Sequence, residues 1–109
     1  MSEMTLREVC DSAGVSRRAV QGYERAGLVA PTGRNRRGYL LYDEPAQEKI
    51  KKIKLFQEMG FTVRKIAELD TAPNHVLKAA LEAQVERLRK EHGRVNEMIG
   101  VALEMIEQL

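Results

Sequence analysis

Six arginines, Arg17, Arg18, Arg25, Arg34, Arg36 and Arg37, fall between Ser16 and Tyr42, where Glu24 is the sole acid. A guanidinium fork matches a phosphate or the outer edge of guanine better than the point charge of lysine does. The stretch therefore points to a polyanion as partner, against the plainer alternative of an ordinary solvated surface. The excess is local. Over Thr71–Leu109, Lys78, Arg87, Arg89, Lys90 and Arg94 face six glutamates, and the whole chain carries a formal charge of +2. Other chemistries are poorly supplied. Cys10 is the single cysteine and His75 and His92 the two histidines, so neither a disulfide nor a zinc site at ligand spacing is available. No nucleophile, base and orienting residue stand together in a recognisable motif, so an enzyme is not expected, nor a cofactor or bound metal. With 5% aromatics and no Trp, a sugar cleft or a stacking platform for single strands is disfavoured.

These residues must be positioned by a chain of 109 residues, 43% of them hydrophobic, which is enough for one compact core and not for two. A long helix outside that core needs a partner chain. No apolar run approaches a membrane span, and Met1-Ser2-Glu3-Met4-Thr5 lacks a basic segment followed by an apolar one, so the cytoplasm is the default address and no membrane partner is expected.

The expected fold is mainly α: a winged helix-turn-helix head over residues 1–70 with a small β-hairpin wing, followed over 74–109 by a long dimerising coiled-coil helix. Thr5 caps a first helix with Glu8 completing a capping box, and Leu6, Val9, Cys10 and Ala13 share one face. Gly14 stops that helix, Ser16 caps the next, and Gly27 closes it. Two short helices joined by a tight turn make a helix-turn-helix, whose second helix enters a major groove by its N-terminal residues, here Ser16, Arg17 and Arg18. Pro31 and Gly33 are expected to end the following extended piece. Arg34 to Gly38 then forms a basic loop running into a strand at Tyr39–Tyr42, with arginines at the hairpin tip.

From Glu44 to Met59, Ala46, Ile50, Ile53, Leu55 and Phe56 recur at helical spacing, with Lys49, Lys51, Lys52 and Lys54 between them as a solvated face. Gly60 ends that helix. Thr62 caps a fourth through Val63, Ile66, Ala67 and Leu69, with Arg64 and Lys65 in its first turn placed to flank a phosphate. A linker containing Pro73 follows, then one helical pattern to the end. Heptads written from Val85 put Val85, His92, Ile99 and Ile106 at a, and Leu88, Val95, Ala102 and Leu109 at d. Such a seam argues for a coiled coil, and no intrachain segment of equal length exists to fill it, so the partner is a second copy. His92 reads as a polar register-setter rather than a pH or metal sensor. Met98, Val101 and Met105 form a second stripe, either packing surface or effector pocket. Gly93 and Gly100 each weaken the helix by about 1 kcal/mol relative to Ala.

The order of parts resembles the MerR family of bacterial transcription regulators. The resemblance is carried by Gly14-Val15-Ser16, by Tyr23-Glu24-Arg25-Ala26-Gly27-Leu28 with Pro31, by Gly38-Tyr39 with Tyr42, and by Met59-Gly60-Phe61 ahead of Ile66, covering about Met4 to Leu69. It implies a second helix reading double-stranded DNA, a wing gripping flanking backbone or minor groove, and long helices paired antiparallel across a twofold axis on a palindromic operator. It also implies a bacterial cytoplasmic protein that distorts promoter DNA beside RNA polymerase. The DNA-contacting set on this reading is Ser16, Arg17, Arg18, Gln21, Tyr23, Arg34, Arg36, Arg37, Tyr39, Arg64 and Lys65.

Departures from the family pattern fall on that set. Gln21, Gly22 and Tyr23 stand where the family usually has an Arg and two aromatics, and Leu40 stands where it usually has an Arg after Gly-Tyr. Arg17, Arg18, Arg36 and Arg37 are nearby replacements, and Gln21 can still bond a phosphate or an adenine edge. Gly22 within a helix suggests close packing or looseness. Tyr23 has two readings, a hydroxyl at the DNA surface or a ring buried between the second helix and the wing, and a role mixing the two is expected. Cys10 reads as a buried structural thiol rather than a redox sensor. Metal-sensing members carry a cysteine-rich loop after the dimerising helix and drug-sensing members a large effector domain. This chain has neither, so a metal effector is not expected and the effector is unknown. The rival reading is a dimeric protein–protein adaptor without DNA binding.

Overall fold

The computed structural model describes residues 3–109. In chain order these form β1 (Met4–Thr5), α1 (Leu6–Ala13), α2 (Arg17–Arg25), β2 (Gly33–Arg34), β3 (Leu40–Tyr42), α3 (Glu44–Glu58), α4 (Val63–Asp70) and α5 (Asn74–Glu107). Contacts divide the chain into two compact units, Met1–Ala72 and Pro73–Leu109.

Helix boundaries in the first unit follow from short-range chemistry. Thr5 and Glu8 exchange bonds in a capping box, the Thr5 N–H to Glu8 Oε1 at 2.8 Å and the Glu8 N–H to Thr5 Oγ1 at 3.3 Å. Ser16 Oγ accepts from the Ala19 N–H at 3.0 Å, Asp43 Oδ1 from Ala46 at 3.0 Å, and Thr62 Oγ1 from Lys65 at 3.1 Å. Gly14 ends α1 at φ 68°, a left-handed conformation where a side chain would be strained.

The sheet differs from the expected two-stranded hairpin. It has three antiparallel strands in the order β1-β3-β2, with Met4 opposite Tyr42, Thr5 opposite Leu41, Gly33 opposite Leu41 and Arg34 opposite Leu40. Gly33 thus begins a strand instead of ending an extended piece, because backbone pairing to β3 needs no side chain there. The additional strand, β1, is too short to show any alternation, and its partner lies far along the chain.

Val9, Val20, Tyr23, Tyr42, Ile50 and Ile53 are the fully buried side chains of the first unit, where α1, α2, α3 and the sheet meet. Each apolar side chain so buried contributes about 1.5–3 kcal/mol. Phe61 and Phe56 close the far end of α3 with ring centroids 5.6 Å apart. Leu55, expected inward, is 53% exposed. It lies two residues past the buried Ile53, about 200° around a helix of 3.6 residues per turn, and so faces outward.

The second unit is a single helix of 34 residues, about 51 Å at 1.5 Å per residue. Every residue from Val85 to Leu109 is exposed, including Leu88 at 42%, Val95 at 46% and Ile99 at 52%. No helix among the described residues is long and apolar enough to cross a membrane.

Candidate nucleic-acid interface

Helix α2 is divided lengthwise. Val20 and Tyr23 are buried, while Arg17, Arg18, Gln21 and Arg25 are exposed. Spacings of three and four residues put these four on one face. Ser16 is exposed at the head of that face, its Oγ accepting the capping bond and its hydroxyl proton left to donate outward.

The buried side of α2 is held by two long-range hydroxyl bonds. The Tyr23 hydroxyl donates to Gln57 Oε1 of α3 at 2.6 Å, and the Tyr42 hydroxyl of β3 donates to Glu24 Oε2 at 2.5 Å. Tyr23 is 1% exposed, so it leaves the DNA-contacting set. Of its two readings the buried ring is observed, with its hydroxyl bond made to α3. Burial pushes the Tyr23 hydroxyl above its ordinary pKa. Burial does the same to Tyr42, reinforced by the bond to Glu24 and by that carboxylate's charge. Both phenols are neutral donors at physiological pH.

The turn between α1 and α2 is braced from α3, where Lys54 Nζ donates to the Gly14 carbonyl at 2.9 Å. A Cβ on Gly14 would lie 2.8 Å from that nitrogen, which sits at the movable end of a lysine, so the left-handed φ of 68° is the reason for glycine there. Lys49 pairs with Asp70 at the end of α4. The lysines of α3 are therefore not uniformly a solvated face: Lys49 and Lys54 tie neighbouring elements to it, whereas Lys51 and Lys52 are exposed. Gly22 is not held by close packing, since a Cβ there would meet nothing within 4 Å. Cys10 is buried and free, and its thiol is pushed up by burial, with Arg17 opposing and Asp11 adding. A thiol held in its protonated form is the weaker nucleophile.

The wing is built around Asn35, a residue absent from the expected set. Its Oδ1 accepts from the Arg37 N–H at 2.9 Å and the Tyr39 N–H at 3.0 Å, and its carbonyl accepts from Gly38 at 2.9 Å. Arg34 Nη1 donates to the Gly38 carbonyl at 2.7 Å, so part of Arg34 serves the turn itself. Gly38 has φ 82°, which glycine tolerates and other residues rarely do. The outcome is a tight tip presenting Arg36, Arg37 and the ring of Tyr39, the last 58% exposed. Asparagine's turn-forming preference was the signal available for Asn35.

On α4, Arg64 and Lys65 are exposed in the first turn, with Lys65 Nζ 3.9 Å from Glu68. Arg64 lines a shallow groove together with Arg25 and Gly22 of α2. Among the described residues, no group of three or more His, Cys, Asp or Glu side chains could hold a metal ion.

Residues 4–72 match the MerR HTH family of regulatory proteins. The chain belongs to that family. It is 36% identical over 94 residues to the HTH-type transcriptional activator mta of Bacillus subtilis, an alignment covering 86% of this chain and 37% of that protein. The chain thus spans well under half the length of this curated relative. Among solved structures it is similar to MtaN, the N-terminus of the Bacillus subtilis multidrug transporter activator, with 33% identity, a TM-score of 0.69, and coverage of 94% of this chain and 97% of that one. It shares its fold with HiNmlR, a MerR-family regulator lacking the sensor domain and bound to promoter DNA, at 14% identity and a TM-score of 0.70, covering 89% of this chain and 78% of that one. The family is one of transcription regulators, not of enzymes.

Proposed function

We propose that this MerR-family chain is a homodimeric, sequence-specific DNA-binding transcription regulator that recognises a palindromic operator, distorts promoter DNA beside RNA polymerase, and works in the bacterial cytoplasm. The observation that carries the reading is the exposed face of α2. It aligns Arg17, Arg18 and Gln21 at the head of a helix whose opposite face is locked into the core. On this reading, Ser16, Arg17, Arg18 and Gln21 enter the major groove. Arg36, Arg37 and Tyr39 of the wing, with Arg34 in part, meet backbone to one side, and Arg64 and Lys65 of α4 meet it on the other. HiNmlR, which has the same fold, was crystallised on promoter DNA, which supports this choice of partner.

The dimer reading rests on α5. Val85, Leu88, His92, Val95, Ile99, Ala102, Ile106 and Leu109 repeat as a heptad seam, and all are exposed on the single chain. A second copy supplies a matching seam.

Selection of bound duplexes from a random pool tests the reading. The expected product is a twofold-symmetric site. With about 6–8 phosphates neutralised per dimer, the logarithm of affinity falls with the logarithm of salt at about −0.9 per phosphate. Recovery of no duplex, or a flat salt response on the recovered one, would favour the adaptor reading.

A further inference from the structure

We infer that Arg7 of α1 is a DNA-backbone contact that works with Arg17 across the cleft between α1, the head of α2 and the wing. The assignment rests on the DNA-binding reading above and adds to it a residue outside the expected set. The cleft has a volume of about 890 Å³, and its lining includes Arg7, Arg17, Ser16, Thr5, Tyr39 and Asp11. Arg7 is exposed, and among the described residues neither it nor Arg17 is engaged by a carboxylate. Asp11 sits one turn beyond Arg7 on α1 without forming an ion pair with it. The cleft therefore holds two unneutralised guanidiniums against one acid.

Its hydroxyls add donors. Thr5 Oγ1 and Ser16 Oγ each accept a capping N–H, which consumes a lone pair and leaves the O–H proton to donate into the cleft. Both caps also mark helix starts, so the N-terminal ends of α1 and α2 border one space. Guanidiniums, hydroxyl donors and positive helix ends around one open cleft form a receptor for a phosphodiester. A DNA strand leaving the α2 face toward the wing brings such a group there. The contact is to backbone, so it strengthens binding to every sequence alike.

The test measures affinity of wild type, R7A, R7K and R17A for the selected duplex over a salt series, with variant duplexes alongside. R7A is expected to bind at least about tenfold more weakly at low salt for each protomer on the duplex, as for loss of one charge-assisted hydrogen bond per protomer. Its salt slope should be shallower by about 0.9 for each protomer on the duplex. R7K should keep the slope, and the ranking of duplexes should not change. The side chain is exposed, so the thermal midpoint of R7A should match wild type. R7A with the wild-type slope, while R17A weakens binding, would overturn the Arg7 assignment and leave the DNA reading intact. A change in base preference without a change in slope would also overturn it. If wild type binds no duplex, both readings fall together.

Discussion

Replacing Tyr42 by Phe removes one oxygen atom and tests whether the sheet and α2 are fastened as described. The ring is fully buried, and its hydroxyl donates to the Glu24 carboxylate at 2.5 Å. A hydrogen bond to a charged group is worth about 1.5–3 kcal/mol. Glu24 is half-buried, so water can partly replace the lost donor, and the expected destabilisation at pH 7 is toward the lower end, about 1–2 kcal/mol. For a head of this size that lowers Tm by roughly 4–8 °C per kcal/mol.

The pH dependence gives a second, independent readout. The phenol's folded pKa lies above its ordinary value of 10.0, so the folded state holds this proton more tightly than the unfolded state does. Its stabilising contribution is fully present below pH 10. It falls above that, as the unfolded chain deprotonates first, at up to about 1.4 kcal/mol per pH unit. Y42F should lose this part of the alkaline limb. The parts due to Tyr23 and, from about pH 9, Cys10 should remain, because both are also raised by burial. Thermal melts by circular dichroism from pH 7 to 11 measure both effects. A Y42F protein melting with wild type at pH 7, or retaining the whole alkaline limb, would show that the bond does not fasten β3 to α2.

Three further substitutions address other parts of the molecule. G22A should stabilise the head by about 1 kcal/mol, because a methyl group there meets no neighbour and alanine is the better helix former; a lower denaturation midpoint would mean that the glycine is needed for packing. N35A removes the acceptor for two wing N–H groups and should speed hydrogen exchange at Arg37 and Tyr39 by about tenfold, the effect of losing about 1.4 kcal/mol of local stability, while N35D, which keeps an oxygen at Oδ1, should not. Equal protection in N35A would remove Asn35 as the organiser of the tip. I99D sets a carboxylate at the middle of the proposed α5 seam and should abolish dimers in sedimentation equilibrium without unfolding the head; dimers of wild-type strength would move the seam elsewhere.

The sequence by itself determined where helices begin and end. Thr5 with Glu8, Ser16 with Ala19, and Thr62 with Lys65 act over three residues, and Gly14 acts through its own backbone, so the cause and its effect lie side by side in the chain. The arginine-rich stretch and the heptad repeat were legible for a related reason, since charge and helical period are properties of neighbouring residues. Only the tertiary structure decided which side chains those elements spend on one another. Tyr23 turns inward to a residue 34 positions away, Lys54 braces a turn 40 positions away, and Tyr42 reaches Glu24 across 18. Met4–Thr5 becomes a strand because β3 offers it an edge, and Arg7 faces a cleft because α1, α2 and the wing converge there. Such pairings depend on which surfaces the core brings together, and no local periodicity records them.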